Sequence, residues 1–247
     1  GNYVTGGLIG FNYGSITGNT FATGNVTGTQ FVGGLMGVNQ GANITPANLG
    51  EIYATGNVTG TFAVGGLIGE SYRALSNVSY TNYTGGVTAP GAQYVGGLVA
   101  LSYSTISNSF ADVSGASIIG GSKVGGLVGV SGSTLSGNSY ATGNVYGTGS
   151  EIGGLIGHNY GAITATAQGQ IYASGSVTGS GSGNYVGGLI GYNDTGGALT
   201  NVVAMNPTVN APNKSYVGGI TGYSRNSISN SYSTGNITGL NQVGGIS

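Results

Sequence analysis

A chain of 247 residues with nine charged side chains, a net charge of −1, no cysteine and 55 glycines excludes several classes at the outset. It has no basic patch to displace counterions from nucleic acid, no disulfide framework, and no apolar run near the ~20 residues of a membrane-spanning helix. Glycine is roughly three times its ordinary share but has no three-residue collagen period, and 38% apolar residues suffice for a narrow core, against disorder.

The first recurring element is Gly-Gly-Leu or Gly-Gly-Ile. In chain order its apolar residue is Leu8, Leu35, Leu67, Leu98, Leu127, Leu155, Leu189, Ile220 and Ile246. The spacings are 27, 32, 31, 29, 28, 34, 31 and 26 residues, a mean of about 30. A fixed period of roughly 20–50 residues marks a solenoid or array. Within one period, residues 15–39, three extended runs follow one another: Ile16 to Phe21, Asn25 to Thr27, and Phe31 to Met36. Short β-branched and aromatic runs bounded by Gly, Asn and Ser read as strands. No segment carries helical periodicity, and this glycine density opposes helix.

The expected fold is therefore all-β: a β-solenoid (β-helix) of about eight coils, with roughly 30 residues and three short strands per coil. At ~4.8 Å per coil the rod would be roughly 40 Å long. A β-propeller blade needs about 40–45 residues and fits less well. A leucine-rich repeat would need more leucine and a different Asn spacing. Residues 1–247 read as a single solenoid domain. With no capping repeat at either end, the chain is expected to be an excerpt or processed part of a longer one.

Three columns follow each anchor. Asn12, Asn39, Ser71, Ser102, Ser131, Asn159, Asn193 and Ser224 recur in one place, which predicts a polar ladder at a turn. The residues just before them, Phe11, Val38, Glu70, Leu101, Val130, His158, Tyr192 and Tyr223, are too mixed for a core and are expected to face outward. Phe21, Tyr53, Phe110, Tyr140, Tyr172 and Tyr232 form an aromatic column. The simpler reading makes it part of the core, and the other makes it a stripe for stacking sugar rings. In Val64-Gly65-Gly66-Leu67-Ile68-Gly69, read as one strand, both faces are apolar or bare. Such a strand is covered on both sides, so one face is expected to be buried by another segment or subunit.

Val186-Gly187-Gly188-Leu189-Ile190-Gly191-Tyr192-Asn193, together with Ile228-Ser229-Asn230-Ser231-Tyr232-Ser233-Thr234-Gly235-Asn236-Ile237, resembles the GLUG repeat of bacterial surface proteins. The likeness extends over essentially the whole chain. It implies the setting of large adhesins with filamentous-haemagglutinin-like β-helices, or of the non-catalytic region of immunoglobulin A1 proteases. No His-Glu-x-x-His motif is present, so no protease activity carries over.

Catalytic and metal chemistry need clusters that the sequence does not offer. The one histidine, His158, lies in the mixed column and is expected at the solvent. The five carboxylates never recur at one repeat position, and no Gly-x-Ser-x-Gly elbow or phosphate loop is present. No catalytic residue, metal ligand or cofactor is expected, and the protein is not read as an enzyme. Asn-x-Ser/Thr occurs at Asn25, Asn43, Asn57, Asn77, Asn82, Asn193, Asn213 and Asn236, mostly as turn chemistry. Threonine columns hint at an ice-binding array but are broken by Gly and Asn. The sequence thus predicts a non-enzymatic structural or adhesive repeat protein outside a bacterial or archaeal cell. It would form a stalk or a self-associating surface filament, with cell-surface or host glycans or proteins as partners. The alternative is a carbohydrate-binding module that uses Tyr192, Tyr223 and Tyr232.

Overall fold

The computed structural model describes residues 3–206 and 208–245. They form short strands with no helix, and every strand pairing is parallel and joins one coil to the next. The chain is a β-solenoid of about eight turns with ~31 residues per turn. At the anchors the coils stack in register: Val64 sits between Val32 and Val95, and Ile68 between Met36 and Val99; the register shifts between Asp112 and Ser117 and between Ala211 and Ser215.

The third coil shows the course of the chain. An inbound strand, Ala63–Gly65, reaches a corner at Gly66 and Leu67, and an outbound strand, Ile68–Ser71, leaves it. Three more strands follow: Leu75–Ser76, Val78–Thr81 and Gly86–Thr88. This coil thus holds five short strands rather than the expected three, and the next two hold four, because their last two merge into the longer strands Phe110–Gly120 and Tyr140–Gly147. The run read as continuous from Phe31 to Met36 is in fact two, Phe31–Gly33 and Met36–Asn39.

Glycine causes the break. A methyl on Gly65 would run into the carbonyl of Ile68, across the corner of its own coil. A methyl on Gly66 would strike the carbonyl of Gly97 in the next coil and the ring of Tyr80. Both glycines have ordinary φ, so they serve close approach rather than an unusual backbone conformation. Because the chain turns here, Val64, Leu67 and Ile68 all point into the same interior and are fully buried. Nothing outside the chain is needed to cover them, so the expected second apolar face does not exist.

The anchors Leu35, Leu67, Leu98, Leu127, Leu155, Leu189 and Ile220 are all fully buried in one continuous core. Each is worth roughly 1.5–3 kcal/mol of burial. Leu8, in the first described coil, is 54% exposed, and Ile246 lies outside the described residues.

Two recurrent polar positions hold the turns. Asn12, Asn39, Ser71, Ser102, Ser131, Asn159 and Asn193 are buried. Asn12 donates to Asn39 (2.8 Å), Asn159 to Asn193 (2.8 Å) and Asn193 to Ser224 (2.9 Å), as a ladder requires. Ser71 and Ser102 instead donate to the carbonyl two residues on. Asn77, Asn108, Asn201 and Asn230 turn the coil with φ of 46–60°, a left-handed conformation that asparagine tolerates.

Candidate functional site

The corner folds the inbound and outbound strands back on each other. Their outward side chains therefore meet along an external seam. One row is Phe31, Ala63, Tyr94, Lys123, Glu151, Tyr185 and Tyr216; the other is Val38, Glu70, Leu101, Val130, His158, Tyr192 and Tyr223. The second row does point away from the main core, as expected, but Val38, Glu70, Leu101 and His158 are buried.

The seam changes character along the rod. In the earlier coils Ala63, Ala100 and Leu101 form a small separate core flanked by Phe31, Phe62, Tyr94 and Val130. In the later coils it is ionic and aromatic. Glu151 Oε2 accepts from Lys123 Nζ at 2.9 Å and meets His158 Nδ1 at 2.8 Å. His158 is stacked on Tyr160 at 4.3 Å, and its Nε2 faces Asp194 at 3.9 Å, too far for a hydrogen bond. Asp194 pairs with Arg225 at 3.3 Å. Beyond them Tyr185, Tyr192, Tyr216 and Tyr223 form a mutual ring cluster with centroids 5.1–5.8 Å apart. The solvent-facing His158 expected from the sequence is thus overturned: it is 8% exposed, with Glu151 brought against it across the corner and Tyr160, two residues on, stacked on its ring.

The two carboxylates of the seam respond oppositely to burial. Burial raises the Glu70 carboxyl above its usual range, and donated hydrogen bonds from Tyr72 and Tyr103 offset this only in part. Burial also pushes Glu151 upward, but the hydrogen bonds from His158 and Lys123 outweigh it and hold the group below the usual range. Glu151 is paired with Lys123 and hydrogen-bonded to His158, whose ring is stacked on Tyr160, and among the described residues no hydroxyl is hydrogen-bonded to the imidazole. Among the described residues no group of three or more His, Asp or Glu side chains is placed to hold a metal ion, and no helix is long and apolar enough to cross a membrane.

The aromatic column does not lie in the core. Phe21 and Tyr232 are exposed, while the alanines that follow the column's rings, Ala22, Ala54, Ala111, Ala141 and Ala173, point inward and are buried. The rings stack along the rod, Phe21 on Tyr53, then Phe110 on Tyr140 and Tyr140 on Tyr172, at 4.9–5.1 Å and within 6° of parallel. Ser79 and Val203 interrupt them. Stacked in this way the rings cover each other's faces and show edges to solvent, whereas a sugar packs against a ring face. Tyr192 and Tyr223 do meet, stacked at 5.2 Å. Tyr232 belongs to the aromatic column, where its register partner is Val203, so the three tyrosines do not form one surface. The threonine column pairs Thr27 with Thr59 at 2.9 Å but is broken by Ile119, Tyr146 and Asn210. Asn82 and Asn193, in two of the Asn-x-Ser/Thr sequences, are buried.

Two features escaped the sequence reading. Lys214 is fully buried, and its ammonium donates to the carbonyls of Gly149 (2.6 Å), Ser182 (3.2 Å) and Gly183 (3.4 Å), tying together turns of three coils. Burial lowers its pKa. On the surface, Gln40, Tyr72 and Arg73 line an open cavity of about 400 Å³. Lys214 and Arg73 have no repeat-wide pattern that could have announced them, whereas Tyr72 recurs with Tyr13, Tyr103 and Tyr160.

No curated protein and no solved structure matches the chain. Residues 182–210 and 213–238 match the family model described as "The GLUG motif", so the repeat read from the anchors is that motif in the later coils of the rod.

Proposed function

We propose that this chain is a non-enzymatic structural module of an extracellular bacterial or archaeal surface protein, serving as a rigid stalk. One observation carries the reading: parallel ladders run unbroken from coil to coil, around a core that the chain closes by itself. A load along such a rod is shared by many backbone hydrogen bonds, and repetition gives reach from one small unit. The pairing of Glu151 with Lys123 and of Asp194 with Arg225 supports a non-catalytic role for these groups. Lateral self-association into a filament rests on the nearly uncharged surface alone, because the corner removes the apolar face that had argued for an interface.

Negative-stain imaging and sedimentation of the purified protein test this. A stalk module gives short single rods, and a filament gives long or bundled ones. Any association should persist in high salt, since nine scattered charges cannot carry it. Metal-dependent activity, or turnover of a polysaccharide or peptide, would overturn the non-enzymatic reading.

A further inference from the structure

We propose that Gln40, Tyr72 and Arg73 form a binding site for an acidic saccharide, with a pyranose ring on the face of Tyr72 and its carboxylate on Arg73. These residues line the cavity of about 400 Å³ on the outer surface. The position after each Asn/Ser rung reads Tyr13, Gln40, Tyr72 and Tyr103 in successive coils. Tyr72 stacks on Tyr103 at 4.9 Å. On its other side the neighbour one coil away is Gln40, which carries no ring. The cation beside Tyr72, Arg73, sets it apart from the stacked aromatic column, where Tyr53 and Phe110 also have a ringless neighbour in Ser79. Tyr72 is 42% exposed, and its hydroxyl donates to Glu70 at 3.1 Å, which fixes the ring.

Charge points to the same place. Of the four cations, Lys123 and Arg225 pair with carboxylates, and Lys214 is buried on carbonyls. Arg73 has no carboxylate partner among the described residues. Its Nε donates to the Gln40 carbonyl at 3.0 Å. That bond orients the guanidinium fork and leaves its terminal nitrogens for a ligand. A planar fork receives a carboxylate through two parallel hydrogen bonds. An apolar ring face, an oriented guanidinium and an amide side chain in one cavity match the three surfaces of a uronic acid: its C–H face, its carboxylate and its hydroxyls.

The test is a calorimetric titration with a trimer of galacturonic acid, beside a neutral galactose trimer and acetate. The acidic trimer should saturate one site, more weakly as salt rises, and bind at least about tenfold tighter than either control. Arg73→Gln should weaken binding by about tenfold or more, the loss expected for a charged hydrogen bond. Tyr72→Ala should do likewise, while Tyr72→Phe, which keeps the ring, should bind within about threefold of the parent. Tyr223→Ala should leave binding unchanged. If Tyr72→Ala unfolds, Arg73→Gln and Tyr72→Phe decide. No saturation, equal binding of the galactose trimer or of acetate, indifference to Arg73→Gln, or loss on Tyr223→Ala would each overturn the assignment. The stalk reading stands or falls separately, on the shape and association of the rod.

Discussion

The earlier and later coils share one core and one corner, yet they close the outer seam in different ways. In the earlier coils the inbound strands have three residues, as in Phe31–Gly33, Ala63–Gly65 and Tyr94–Gly96, and their first side chains join an apolar cluster around Leu101. In the later coils they have two, as in Val124–Gly125 and Ile152–Gly153. The residue before them, Lys123, Glu151 or Tyr185, takes a φ of 46–69°, as does Tyr216 within the longer strand Thr208–Gly218. A left-handed conformation costs a non-glycine residue about 1–2 kcal/mol. The strain coincides with ion pairs and ring contacts across the seam, so local backbone cost is offset by side-chain partners. Burial by hydrophobic packing and burial by ion pairing are therefore alternative solutions to one geometric problem, and they should respond to different perturbations.

The largest expected effect strikes both regions alike, because it falls on the shared corner. Gly97→Ala places a methyl against the carbonyl of Gly126 and the buried Ala111. Leu127→Asp places a charge in the fully buried row. Each should destabilise by several kcal/mol. Damage should spread to neighbouring coils, since each coil is stable only against the next. Urea denaturation checks this. A transition unchanged by either variant would mean that the corner is not the element on which the two regions depend.

Next in size are substitutions that separate the regions. Leu101→Ala in the apolar seam should cost about 2–3 kcal/mol, with little dependence on salt. His158→Ala in the ionic seam should cost about 1–2 kcal/mol, from a lost ring stack and a lost charged hydrogen bond. It should also flatten the salt dependence of the parent's unfolding midpoint, because Lys123 alone remains on Glu151. Comparing midpoints at low and high salt checks both. Equal salt responses in the two variants would erase the distinction between the regions.

Much of the fold was legible because it depends on spacing. The anchors Leu35 to Ile220 recur at one position of one core, and the Asn/Ser column recurs at one turn, so periodicity alone placed them. The Gly-Gly corner was not legible, because alternation assumes a straight strand, and only contact with the next coil shows that Gly65 and Gly66 fold it. His158 was misjudged for the same reason: Glu151 is its neighbour through the corner and not through the repeat. The aromatic column was recognised but placed inside. Phe21 and Ala22 alternate, and the sequence does not say that the smaller residue takes the interior when coils lie this close. Tyr72 shares a column with Tyr13, Tyr103 and Tyr160 that the three-column reading passed over, whereas Arg73 is a single departure among Gly14, Gly41, Ser104 and Ser133, and a repeat reading averages such departures away.

The smallest expected effect is the sharpest on the comparison, because its sign differs between the regions. Glu151 has a folded pKa below its ordinary value near 4.5. The unfolded chain then binds more protons at this site, so its contribution is complete above that value and is lost as pH falls through the lowered one. Glu70 has a folded pKa above the same reference. There the folded chain binds more protons, so stability at this site declines as pH rises from about 4.5 through the raised value. Each effect should stay below about 1 kcal/mol after solvent screening. Amide hydrogen exchange through mildly acid pH, corrected for intrinsic rates, reads them separately. On acidification, protection should fall around residues 151–159 relative to residues 63–71. Glu151→Gln should abolish the first response and Glu70→Gln the second. Parallel responses in the two segments would show that both carboxylates sit in equivalent surroundings, and the division of the seam into an apolar and an ionic half would fail.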